Sequence, residues 1–90
     1  MKLKNGIHAI GAAKSDSLPS VKSALRGGYD IKDIVVVTEI ENGSVSRKAV
    51  FVKIPGGATA IKPLDRHTRE MADAAKQFFI DRYKAGLRRR

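Results

Sequence analysis

The chain has 90 residues, 18 of them basic and 9 acidic, and no cysteine. A length of this order makes one hydrophobic core, so residues 1–90 are read as a single domain; without thiols there is no disulfide framework, no cysteine nucleophile and no thiolate metal site. The formal charge of +9 is unevenly placed: residues 82–90 hold five basic residues and no acidic one, whereas residues 5–81 hold 11 basic against 9 acidic. A near-neutral body with a basic C-terminal end, 82–90, directs attention to what that end can reach.

The opening MKLKNGIHAIGAA is broken by Gly6, His8 and Gly11, which makes its apolar run too short for a signal peptide. A soluble protein of the reducing cytoplasm is therefore expected, with no membrane partner. Within this stretch, residues 6–13 read as a strand. Gly6 and Gly11 have the spacing of a phosphate-binding loop, but two alanines separate Gly11 from Lys14, so the lysine does not follow the second glycine as that loop requires. Next, Ser15–Ser17 offer caps for a short helix in PSVKSALRGG, with Leu18, Val21 and Leu25 inward and Gly27-Gly28 as its stop.

Residues 34–54, IVVVTEIENGSVSRKAVFVKI, predict a hairpin, because Asn42-Gly43 supplies the two positive-φ residues of a type I′ turn between β-rich runs. Counting outward sets Ile40 against Val45, Thr38 against Arg47, Val36 against Ala49 and Ile34 against Phe51, one apolar face. The other face then carries Val35, Val37, Val50 and Val52, and such a second apolar face calls for a cover. A second copy of the chain is expected to supply it, making these four valines a homodimer interface. The segment IPGGATAIKP reads as a flexible connection with a possible anion nest at Gly56-Gly57. Beyond it, residues 64–87 place Leu64, Thr68, Met71, Ala72, Ala75, Phe78, Phe79, Tyr83 and Gly86 on one side of a helix that starts at Pro63 to Asp65. Arg82 falls inside that apolar stripe and must snorkel, pair or protrude.

Strand, helix, hairpin and long helix in that order predict an α+β fold. Its sheet would have three antiparallel strands with both helices on one face, resembling a ferredoxin-like arrangement without the last strand.

Catalytic residues are not evident. The histidines are His8 and His67; His67 and Glu70 lie one helical turn apart, but two ligands do not make a metal site, and no cofactor is implied. A small basic RNase of the toxin type is the main enzymatic alternative to a non-enzymatic protein. The charge pattern instead points to DNA or RNA bound through phosphates with little sequence readout. Its contacts would be Arg82, Lys84, Arg88, Arg89 and Arg90 at the helix end, with Arg47, Lys48 and Lys53 on the hairpin. The same cations suit an acidic protein surface, the alternative being a small regulator, inhibitor or assembly factor of viral or mobile-element type.

Overall fold

The computed structural model describes residues 4–61 and 66–88, the last by its backbone alone. Strand β1 (Gly6–Gly11) passes through a 3-10 turn (Ala12–Lys14) into helix α1 (Pro19–Arg26). A second 3-10 turn (Ile31–Asp33) leads into β2 (Ile34–Glu41), β3 (Ser44–Ile54), β4 (Gly57–Ala60) and helix α2 (Arg69–Arg88). The strands lie in the order β1-β2-β3-β4, each antiparallel to its neighbour.

The α+β class is as expected, but the sheet has four strands, not three. The fourth comes from the segment read as a flexible connection. Pro55 and Gly56 form a two-residue loop after Ile54, with φ +84° at Gly56, the positive value that the third position of a type II turn requires. The turn returns Gly57–Ala60 along β3, with Phe51 opposite Ala60 and Ile54 opposite Gly57. The ferredoxin-like resemblance does not hold, because β1 pairs directly and antiparallel with β2; a βαβ crossover joins parallel strands.

The β2–β3 hairpin turns at Asn42-Gly43 as the sequence demands, with φ +54° and +79°. Ile40 faces Val45, yet the next pair is Glu39 with Arg47, so Ser46 is an extra residue, a β-bulge. Its hydroxyl donates to both the carbonyl (3.1 Å) and the Oε1 carboxylate oxygen (3.0 Å) of Glu39. From there the register slips by one against simple counting, giving Val37 with Ala49, Val36 with Val50, Val35 with Phe51 and Ile34 with Val52. Because side chains alternate along a strand, that single residue redistributes the apolar set between the faces.

One face gathers Val35, Val37, Ala49, Phe51 and Ala60 under Met71, Ala75 and Phe79 of α2. The other gathers Ile34, Val36, Val50 and Val52 with Ala12 and with Val21 and Ala24 of α1. The helices thus cover opposite faces, not one. Val35, Val37, Val50 and Val52, expected at a dimer interface, are at most 2% exposed within one chain. The chain's own helices supply the cover that a second copy was expected to give. The geometric reason is that both faces of a sheet apolar on both sides can be closed by one short and one long helix.

Helix α1 starts with Pro19 at its first position, where the missing N–H costs nothing. The residue before it is Leu18, with no side-chain cap, so Ser15–Ser17 do not play the capping part expected of them. Leu25 is 38% exposed and Ala24 takes the inward place predicted for it. Helix α2 is capped by Thr68, whose Oγ1 accepts from the Met71 N–H at 3.2 Å; the predicted start at Pro63 to Asp65, with Leu64, lies outside the described residues. Burial along α2 recurs at Met71, Ala75 and Phe79 and then stops. A rise of about 1.5 Å per residue carries the remaining turns roughly 13 Å beyond Phe79, and Ile80, Tyr83 and Leu87 stay exposed there. Among the described residues, no helix is long and apolar enough to cross a membrane.

Candidate functional site

The overhang of α2 faces the β3–β4 turn. Between them runs a groove of about 510 Å³, walled by Phe79, Ile80, Tyr83 and Leu87 on the helix and by Ile54, Gly56 and Gly57 on the turn. Lys53, Lys76 and Lys84 line the same groove. A neighbouring depression shares Lys53, Phe79 and Tyr83 and adds Lys32, Asp33 and Arg82. Five cations, Lys32, Lys53, Lys76, Arg82 and Lys84, are thereby collected around an apolar floor with one carboxylate, Asp33.

Strand alternation and helical spacing place three of these cations. Lys53 alternates with Val52 and so points to the α2 side of β3, where Ala49 and Phe51 also lie. Lys76, Lys84 and the exposed Ile80, Tyr83 and Leu87 recur on α2 at spacings of three and four, which is one helical edge. The Lys76 stem lies beside Gly57, its Cδ at ordinary contact distance, 3.9 Å, from where a Cβ would stand.

Arg82 is the residue that broke the apolar stripe, and the structure accounts for it. Its guanidinium lies over the Phe78 ring, 4.6 Å from the centroid, and its Nη1 donates to the Lys32 carbonyl. Gly11 makes the room: a Cβ at that position would sit 2.9 Å from Arg82 Nη2 and 3.7 Å from Phe78 Cζ. Held by a ring face and a carbonyl, with Gly11 leaving room, Arg82 contributes a positioned charge beside the exposed Lys53 and Lys84.

Of the cations singled out from sequence, Lys53, Arg82 and Lys84 come together. Arg88 closes α2, and Arg89 and Arg90 lie outside the described residues. Arg47 and Lys48 do not join the cluster. They pair with Glu39 and Thr38, toward the hairpin turn, whereas Lys32 and Arg82 stand at the other end of β2. Lys48 also faces the opposite side of the sheet, on a separate groove with His8, Ile10, Thr38, Ile40 and Val45. Lys32 and Lys76 were not singled out. Lys76 was legible, standing seven and eight residues before Tyr83 and Lys84 on one helix edge; Lys32 owes its place to the tertiary fold. Tyr83, expected on the buried stripe, is 66% exposed because the helix has run past the sheet.

The histidines lie apart from this groove. His8 on β1 donates from Nε2 to the Lys4 carbonyl at 2.8 Å. His67 meets the Phe51 ring edge-on at 5.1 Å, and its buried Nδ1 has no partner among the described residues. Among those residues no three His, Asp or Glu side chains converge as a metal cluster would require. No protein-family model, curated protein or solved structure matches the chain.

Proposed function

We propose that this chain is a small non-enzymatic nucleic-acid-binding protein that grips phosphates along the α2 overhang with little sequence readout. The observation that carries the proposal is the gathering of Lys53, Lys76 and Lys84 on one groove, with Lys32 and Arg82 on the depression beside it, in an otherwise near-neutral body. Clustered cations are what phosphate neutralisation uses, because each contact releases condensed counterions; scattered ones give no common footprint. In the sequence, Arg88, Arg89 and Arg90 follow Leu87 directly and add three more basic residues at that end of the chain. Arg47 and Lys48 are left out of the proposed interface, since they lie toward the far end of β3.

Fluorescence anisotropy with labelled DNA and RNA oligonucleotides over a series of salt concentrations tests the proposal. Binding is expected to weaken steeply with salt and to vary little with sequence. No binding of either nucleic acid at low salt would overturn it, and leave an acidic protein surface as the ligand for these cations.

A further inference from the structure

We infer that the groove takes single-stranded nucleic acid, with one unstacked base lying against Tyr83 between α2 and the β3–β4 turn. The flanking phosphates then meet Lys53, Lys76 and Lys84. This rests on the nucleic-acid proposal above and names which form of nucleic acid the site accepts.

Three observations carry it. First, the space between the lysines is not polar: Tyr83 and Leu87 are 66% and 51% exposed, and Phe79 and Ile80 continue the same wall. A duplex presents its charged backbone outward and keeps its bases stacked inside, so it would lay phosphates across this apolar strip and leave it uncovered. A single strand offers base faces to stack on an aromatic ring and charges to meet the lysines beside it. Second, the groove volume of about 510 Å³ falls in the range of small-molecule sites, about 300–1,000 Å³. Third, the opposing wall includes two glycines, Gly56 and Gly57, beside Ile54. Gly56 has open space where a side chain would project, so a flat ring can enter without displacing one.

The test compares one short single-stranded oligonucleotide with its duplex and with an abasic strand of the same length and charge, at a single salt concentration. Anisotropy is read on the native protein and on Tyr83→Ala and Tyr83→Phe; the exposure of Tyr83 lets these variants fold. Stacking one base on an aromatic side chain is worth roughly 5- to 150-fold in affinity. The native protein should therefore favour the single strand over both controls by at least about 5-fold. Tyr83→Ala should remove that preference without weakening duplex or abasic binding, and Tyr83→Phe should keep it. Equal affinity for all three ligands with a silent Tyr83→Ala would overturn the base-stacking inference while leaving phosphate binding intact. Absence of binding to any of the three would overturn the proposed function beneath it.

Discussion

Arg82 links the core to the site through contacts that depend on what a neighbour lacks. Gly11 has φ −58° and ψ 148°, values open to any residue, so its backbone does not require glycine. What keeps the position bare is the Arg82 Nη2, 2.9 Å from where a Cβ would stand. Gly11→Ala should therefore be close to neutral in the native background, the methyl displacing the end of a flexible side chain. In an Arg82→Ala background the same change should stabilise by about 0.4–1 kcal/mol, through lower unfolded-state entropy. Urea denaturation of the four proteins gives the coupling; a value of zero would contradict the contact. Thr68 makes a simpler case. Thr68→Ala leaves the Met71 N–H without its acceptor and should cost about 1 kcal/mol, with Thr68→Asp restoring most of it in the same assay.

At the level of elements, Ser46 decides which side chains each helix meets. Deleting Ser46 removes the extra residue and lets Ile40–Val45 and Glu39–Arg47 become consecutive pairs, leaving Ala49 to Val52 in place. That variant should stay folded, with a loss on the order of 1 kcal/mol from the Glu39 contacts. An unfolded circular dichroism spectrum would show that the bulge is needed for more than register. The hairpin and long helix were legible from Asn42-Gly43 and the spacing of Met71, Ala75 and Phe79, because turn chemistry and helical period are local. The bulge was not, since nothing in Val45-Ser46-Arg47 demands an extra residue. Strand β4 was legible in principle from Pro55-Gly56 before GATA. Which helix closes which face was not, because after the slip both faces are apolar and rich in valine. The candidate site was half legible. The break at Arg82 and the basic helix end stood out, whereas the exposure of Tyr83 depended on where the sheet ends.

For the whole molecule, four strands closed by the chain's own helices leave the overhang of α2 to form the groove proposed for binding. The charge of +9 is often taken as a property of the molecule, yet its described cations differ in kind by location. Lys14, Lys22 and Lys48 are exposed elsewhere on the fold, while Lys53, Lys76 and Lys84 share one groove. Two triple-alanine variants, one of each set, remove the same net charge. The decisive measurement is the slope of log affinity against log salt for a single-stranded oligonucleotide with the native protein and both variants. Replacing Lys53, Lys76 and Lys84 should lower the slope by about 2, at roughly 0.7 per lost phosphate contact. Replacing Lys14, Lys22 and Lys48 should leave it nearly unchanged. Equal losses in the two variants would contradict a localised site and reduce binding to net charge alone.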